Sequence, residues 1–335
     1  MTAAVAPFSP ESRYALLRVA SPQDDFAADV RAGLTAPRKS IPPRWFYDAL
    51  GSSLFDAICF LPEYYVTRAE TEVLTSFREE IVASFGTHIR LIELGSGAAR
   101  KTRILLDALT ERQRELEYVP VDVDDVMLDR CARDLLNDYA TLRVTGVCSD
   151  FSRPSRALAQ LPRHRGRTVV LFLGSTIGNL DPEGAVAMLR DLRSSLSRGD
   201  ALLLGADLRK ERAILEPAYD DALGVTASFN LNLLQRINRE LGGHFDLHAF
   251  AHRAFYDEAR GRIEMHLVSR RTQRVRIDAL SLDAEFSAGE TIHTENSHKY
   301  DEATLRSLAV ESGFAVERIW TDAKRWFADV LMIAD

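Results

Sequence analysis

The sequence predicts an α/β protein: a doubly wound, Rossmann-type parallel sheet joined to a second, smaller α+β lobe. Between residues 89 and 206, short apolar runs alternate with longer amphipathic stretches, the rhythm of a parallel sheet covered by helices. The first of these runs, in "LIELGSGAARKTR", leads into two glycines and then a helix-like tail, as the ligand-binding turn of such a sheet does. From Glu211 to about Lys299 the alternation is lost, which marks the second lobe.

Along the chain, Pro42-Pro43 sets an extended lead-in, after which Trp45, Phe46, Leu50, Leu54, Phe55 and Ile58 recur at helical spacing, with Gly51 a weak point. A second helix is expected over "TRAETEVLTSFREEIVASFG", opened by Thr67 and closed by Gly86. Strands are expected at Ile89 to Leu94, Leu116 to Val121, Thr141 to Val147, Thr168 to Leu173 and Ala201 to Ala206. Helices at Lys101 to Leu109, Val126 to Tyr139 and Glu183 to Leu196 connect them. The second lobe holds the helical "PAYDDALGVTASFNLNLLQRINRELG" and the strand-like "RIEMHLVSRRTQRVRI". The tail reads as a helix, "TLRSLAVESGF", and an edge strand, "ADVLMIAD", that returns to the first sheet. There is no internal repeat or low-complexity tract.

Composition narrows the function classes. With 46% hydrophobic and 27% charged residues over 335 positions, the chain has material for one large core or two lobes. A formal net charge of -7 provides no field to neutralise phosphates, so nucleic acid is disfavoured. The opening "MTAAVAPFSPES" carries no basic residue and no long apolar run, and no later stretch is long enough for a membrane span; a cytoplasmic protein is expected. Cys59, Cys131 and Cys148 are too scattered for a disulfide framework or a CxxC metal site.

The glycine turn limits the ligand. A dinucleotide fingerprint needs a third glycine where Arg100 stands, and a phosphate-binding P-loop needs a glycine directly before Lys101-Thr102. Gly95 and Gly97 instead allow close backbone approach without demanding a phosphate, which suits an adenosyl amino acid. Asp122 ends the second strand, where a carboxylate accepts from ribose hydroxyls; Asp150 follows the third, placed for an adenine amino group, with Phe151 against the ring. Each aspartate alone fits a helix cap equally well. Together they favour S-adenosylmethionine.

Six stretches, "SIPPRWFYDALGSSLFDAICFLPEYYVTRAE", "ELGSGAARKTR", "LFLGSTIGNL", "AYDDALGVTASFNLN", "RIEMHL" and "TENSHKY", resemble the histidine-specific N-alpha-methyltransferases of ergothioneine biosynthesis, from about Arg31 to the C-terminal region. The resemblance implies a class I methyltransferase domain, residues 69–210 plus 300–335, and an amino-acid-binding domain, residues 1–68 plus 211–299. It implies cofactor positions at Gly95, Lys101, Asp122, Asp150 and Phe151. It also implies histidine-binding positions at Tyr64, Gly174, Asn179, Tyr219, Met265, Glu295 and Ser297, with Tyr47 and Phe229 nearby. Asn179 suits a hydrogen bond to the substrate's amine or carboxylate, Tyr219 a bond to the carboxylate, and Glu295 a bond from the imidazole. Tyr64, Asn179 and Tyr219 are the expected catalytic groups, with the tyrosines also candidates for the base. A monomer acting on L-histidine is expected.

Each residue has a plainer reading: Tyr64 as packing, Asn179 as a turn, Glu295 as a solvated acid. Val66 stands where the family expectation is proline, predicting a looser loop around Tyr64, and Asn296 and His298 flank the expected ring site. His244, His248 and His252 recur every fourth residue and would share a helix face, but nearby aromatics and Gly242-Gly243 favour a docked helix start; no metal is assigned. The expected reaction is in-line methyl transfer to the α-amino nitrogen, repeated to the trimethylated betaine hercynine. The alternatives are a relative acting on another aromatic amino acid, a nonenzymatic cofactor-binding module and a nicotinamide oxidoreductase.

Overall fold

The computed structural model describes residues 13–19 and 25–335; the opening dodecapeptide lies outside them. In chain order the elements are β1 (Tyr14–Arg18), α1 (Phe26–Thr35), α2 (Ala49–Ile58), α3 (Val66–Ser76), α4 (Arg78–Phe85), β2 (Ile89–Leu94), α5 (Thr102–Arg112), β3 (Leu116–Asp122), α6 (Asp125–Asp138), β4 (Leu142–Cys148), α7 (Pro154–Leu158) and β5 (Arg167–Phe172). Then come α8 (Pro182–Ser194), β6 (Ala201–Asp207), α9 (Arg212–Leu215), α10 (Val225–Leu241), β7 (Phe250–Asp257), β8 (Arg262–Ser269), β9 (Gln273–Ile277), β10 (Leu282–Phe286), β11 (Thr291–His298), α11 (Glu302–Ser312), β12 (Phe314–Thr321) and β13 (Phe327–Ala334).

Eight strands form one sheet in the order β1-β4-β3-β2-β5-β6-β13-β12, with β13 antiparallel to both neighbours and the rest parallel through β6. Every residue of β2 is buried, as a central parallel strand requires. Alternate residues feed two cores: Leu91 packs with Leu105, Tyr118 and Leu203 on one face, and Ile92 with Val119, Val170 and Leu189 on the other. Because the chain winds outward in opposite directions from β2 and β5, a crevice opens beyond their carboxyl ends.

A third core joins residues distant in sequence: Phe46 and Tyr64 from the N-terminal segment pack with Phe229, Leu233 and Met265 from the insertion after β6. Its frame is a three-stranded antiparallel sheet, β11-β8-β7, with the β9–β10 hairpin beside it. Phe46 and Phe229 meet at a centroid distance of 4.5 Å. Among the described residues no helix is long and apolar enough to cross a membrane.

The structure differs from the sequence reading at several places. Trp45 and Phe46, read as part of one helix with Ile58, stand in a 3-10 turn ahead of α2, and β12 was not anticipated as a strand. The helix expected from Thr67 to Gly86 is two helices, broken where Phe77 takes φ −113° and ψ 14° and turns its ring into the core. The stretch around His248 and His252 is a short 3-10 turn followed by β7, so the three histidines share no helix face. The tail strand β13 is not at the edge: buried at seven of its eight positions, it lies between β6 and β12, because a run apolar on both faces needs cover on both. Tyr14–Arg18, expected with the second lobe, extends the large sheet through β4.

Gly205, on β6, is where space is tightest beside the crevice. A Cβ there would stand 2.3 Å from Glu70 Oε1 and 3.1 Å from the Phe327 ring. We expect Gly205→Ala to cost about 1–3 kcal/mol in urea unfolding, the usual penalty for overpacking. An unchanged midpoint would contradict this packing.

Candidate active site

At the end of β2, Gly95 (φ +69°) and Gly97 (φ +49°) turn the chain sharply, in a region that L-residues avoid. The Gly95 amide donates to the Val121 carbonyl at 2.8 Å, and a Cβ on Gly95 would lie 3.4 Å from the Phe151 ring. Asp122 accepts from the amides of Gly97 (2.9 Å) and Val123 (2.8 Å), so the end of β3 fixes the turn after β2. Burial pushes the Asp122 carboxyl up, against the pull of these amides. Asp150 accepts from the Ser152 amide (2.8 Å) and hydroxyl (2.5 Å), closing a local turn rather than capping the helix that follows. Phe151 packs edge-on against Phe172 at 6.1 Å. The glycines, both aspartates and Phe151 therefore stand around the carboxyl ends of adjacent strands.

Within β2, the lone Glu93 is a core residue. Its carboxyl accepts from Thr102 Oγ1 (2.7 Å) and from the Tyr118 hydroxyl, and burial pushes it up to about 7. Lys101 pairs with the fully buried Glu70 of α3, and the other oxygen of Glu70 accepts from the Gly174 amide at 2.7 Å. Burial opposes the ammonium charge, yet Glu70 holds Lys101 above its ordinary value. One carboxylate thus ties the glycine turn to the end of β5.

Beside this turn lies a cleft open to solvent, about 560 Å³ with its mouth included. Tyr47, Tyr64, Gly174, Asn179, Tyr219, Phe229, Met265, Glu295 and Ser297 all line it, so the structure brings together every amino-acid-binding residue assigned from the sequence. Tyr47 and Phe229 meet edge-on at 5.9 Å, and Tyr64 and Tyr219 at 6.1 Å. Glu295 and Ser297 share one face of β11, while Asn296 and His298 point to the other and are absent from the pocket wall. Val66 does not loosen the loop: it is buried as the first residue of α3, and Arg68 donates to the carbonyls of Leu61 (2.7 Å), Pro62 (2.6 Å) and Tyr64 (3.2 Å).

Burial pushes Glu295 up to about 7, with Lys299 pulling the other way. Burial also raises the Tyr47, Tyr64 and Tyr219 phenols, so all three are neutral hydroxyls near pH 7 rather than phenolate bases. Glu295 and Asp122 add to the effect of burial in raising the Tyr47 phenol.

Sequence reasoning missed Phe55, Ile58, Ser175, Thr176, Ala218 and Thr226 in the pocket wall. Ser175 and Thr176 sit inside the "LFLGSTIGNL" stretch, which was the available signal. It also missed Asp207 and Lys299, which lie behind the wall; Asp207 ends β6 and was open to the same strand-end rule as Asp122. On the outer face of β8 and β11, ligand atoms of Glu264, His266 and His293 lie within 4.8 Å of one another. There Arg262 Nε donates to Glu264 at 3.0 Å, and His266 Nε2 is 3.0 Å from its other oxygen.

A model of the family described as histidine-specific, SAM-dependent methyltransferases matches residues 26–334. The chain belongs to this family. It is 47% identical over 294 residues to the histidine N-alpha-methyltransferase of Mycolicibacterium smegmatis, covering 88% of this chain and 90% of that one. An ergothioneine biosynthesis protein 1 of Schizosaccharomyces pombe is 29% identical, covering 83% of this chain but 36% of its own length. The L-tryptophan methyltransferase of Psilocybe serbica is 27% identical, covering 89% of each chain. Among solved structures, the magnesium protoporphyrin IX methyltransferase of Synechocystis has a TM-score of 0.44 at 13% identity, covering 88% of this chain and 98% of that one. The α/β fold is that of a class I methyltransferase, and the histidine-specific family name fits a pocket that pairs an aromatic wall with one carboxylate.

The raised Glu295 value has a stability consequence. Its carboxyl titrates near 7 when folded and near the usual 4.5 when unfolded, so its contribution is fully present below pH 4.5 and is lost as pH rises through 7. We expect Glu295→Gln, measured without ligands by urea unfolding, to gain stability over the wild type between pH 5 and 8. A difference that does not change with pH would contradict the burial of this carboxyl.

Proposed function

We propose that this protein transfers methyl groups from S-adenosylmethionine to the α-amino nitrogen of L-histidine, repeatedly, to give hercynine, the first step of ergothioneine biosynthesis. The observation that carries this reading is the pocket wall: Glu295 and Ser297 of one lobe face the same cleft as Gly174 and Asn179 of the other, beside the glycine turn. Residues 69–210 plus 300–335 are read as the donor domain and 1–68 plus 211–299 as the amino-acid domain, with Tyr14–Arg18 moved to the donor side because it extends that sheet. The reaction is read as cytoplasmic and the enzyme as a monomer, since a single chain supplies both sides of the cleft.

The donor positions fit their ligand. Gly95 and Gly97 leave the backbone open to an adenosyl group, a Cβ on Gly97 would meet nothing within 4 Å, and Asp122 and Phe151 stand at the neighbouring strand ends. When bound, the donor supplies a methyl group on a cationic sulfur. This chain's contribution is placement: Asn179, Tyr64 and Tyr219 hold the amine and carboxylate, and Glu295 accepts a ring N–H, leaving the nitrogen aimed for in-line attack. The ammonium must lose a proton first, and because the pocket tyrosines are neutral, that proton goes to solvent.

A second reading, methylation of another aromatic amino acid, is favoured by the Tyr47–Phe55–Phe229 wall and by the similarity to an L-tryptophan methyltransferase. A ring with no N–H or O–H leaves the buried Glu295 carboxyl unpaired, which is worth roughly 10- to 100-fold in discrimination. An indole N–H can still donate to it, so histidine and tryptophan are separated by direct comparison of the two substrates.

Incubation with S-adenosylmethionine and histidine should give mono-, di- and trimethylated products by mass spectrometry, and Glu295→Ala should lower kcat/KM for histidine by about 10- to 100-fold. Conversion of tryptophan but not histidine by the wild type would select the second reading; no conversion of either would leave only a binding module.

Acid pH should suppress the reaction twice, through Glu295 near 7 and through an α-amine that titrates near 8. We expect kcat/KM to rise from pH 6 to about 8.5 in the wild type. In Glu295→Gln the limb near 7 should vanish while the amine limb persists; identical profiles would remove Glu295 from the ring site.

A further inference from the structure

Behind the pocket wall lies a charged residue to which the reaction gives no role. Lys299 follows β11 on the same face as Glu295 and Ser297, its side chain is wholly buried, and its amide is held by the Gly261 carbonyl at 2.8 Å. Its Nζ reaches three oxygens: Tyr219 Oη at 2.8 Å, Ser297 Oγ at 2.8 Å and Asp207 Oδ2 at 2.6 Å. The first two belong to pocket-lining residues. Asp207, itself fully buried, also binds Lys210 and the Tyr65 hydroxyl, and its amide donates to Ser175 Oγ at 2.9 Å.

Counting protons shows what this arrangement does. An ammonium has three N–H donors and no lone pair, so both hydroxyl oxygens must accept from Lys299, and its third proton goes to Asp207. Tyr219 Oη and Ser297 Oγ are also 2.8 Å from each other, which uses one of their two hydroxyl protons. One hydroxyl proton is left over, and it belongs to a residue of the pocket wall. Without Lys299, the two hydroxyls are free to rotate and to offer lone pairs instead.

We infer that Lys299 is a positioning residue, which turns the Tyr219–Ser297 pair into a hydrogen-bond donor aimed at a lone-pair-bearing group of the amino-acid substrate, a carboxylate or an unprotonated ring nitrogen. The inference rests on the proposed methylation of histidine and deepens it. Two lysines against one aspartate leave this buried cluster net positive, which favours an anionic carboxylate nearby and disfavours an ammonium. The same charge acts on Glu295, the ionisable acid of the pocket wall; the other titratable groups around that acid are the neutral phenols of Tyr47, Tyr64 and Tyr219. Lys299 therefore also lowers the pH at which Glu295 ionises, against the larger effect of burial.

The test is Lys299→Met in the full-length protein, with histidine and S-adenosylmethionine as the probes. Calorimetric affinity for S-adenosylmethionine should stay within about threefold of the wild type, while KM for histidine rises roughly 10- to 100-fold, as loss of charge-assisted bonds predicts, and kcat falls less. The acid limb of kcat/KM assigned to Glu295 should move to higher pH, a change that a merely structural role does not produce. A histidine KM within twofold of the wild type, with the limb unmoved, overturns the proposal while leaving the methyltransferase reading intact. Should Lys299→Met lose its thermal unfolding transition, Lys299→Gln, which keeps donors without charge, takes its place. It should show a smaller rise in KM with the same shift of the limb, and an unshifted limb overturns the proposal. A wild type that does not methylate histidine removes the reading beneath, and the proposal with it.

Discussion

Glu70 is the point at which the glycine turn and the pocket edge at Gly174 are held in register. A carboxylate with no exposed surface costs several kcal/mol unless its charge and lone pairs are met, and here both are: Lys101 arrives from the glycine turn, the Gly174 amide from the end of β5. Gly205 makes room for it by having no side chain. Asp329, also fully buried and close enough to feel Glu70, is pushed toward its neutral form by burial and by that neighbour, so the cluster carries less charge than its composition implies. Any shift of α3 relative to the sheet would strand a carboxylate in the core. The donor turn and the amino-acid pocket therefore keep their separation.

That constraint explains why the second lobe is assembled from two distant segments. The segment leading into α3 carries Tyr47, Phe55 and Tyr64, and α3 delivers Glu70 to the sheet. The insertion after β6 brings Phe229, Met265, Glu295 and Ser297. Both segments bury their apolar residues in one core, so the aromatic wall and the polar end of the pocket form as a unit. Stacking area from the aromatics accommodates a flat side chain of several kinds, while Glu295 distinguishes among them because its carboxyl is left unpaired by the wrong ring.

Much of this was legible from the sequence, and the exceptions have physical causes. The five strands read between residues 89 and 206 lie within one residue of their expected bounds, because a run buried on both faces leaves a clear apolar signature, as at Ile89–Leu94 and Ala201–Asp207, whereas β1 and β12 were not anticipated. The break at Phe77 left none, since the apolar pattern runs through it. The edge assignment of β13 failed because strand order is not local information. Nothing in the sequence singles out Glu70 on its amphipathic helix or Lys299 in its polar run, and only their partners, 31 and 80 residues away at Lys101 and Tyr219, give them their meaning. The pocket residues were recognised through long motifs rather than through chemistry visible at any single position; the carboxyl of Asp150 closes a local turn and caps no helix.

The distribution of charge around the cleft bears on how an amine is made reactive without a dedicated base. A carboxylate beside the attacking nitrogen would stabilise the ammonium and raise its pKa, holding back the lone pair that the reaction needs. Among the residues lining the cleft, Glu295 alone carries a carboxyl, and on the proposed reading it is committed to the ring. The remaining polar groups are neutral hydroxyls and amides, with the Lys299–Asp207–Lys210 cluster behind them contributing net positive charge. Such an environment lowers the pKa of a bound amine, and the permanent cation formed by the last transfer meets aromatic faces rather than a carboxylate. Neutral tyrosines and a buried lysine thus favour the nucleophilic form of the amine at each transfer.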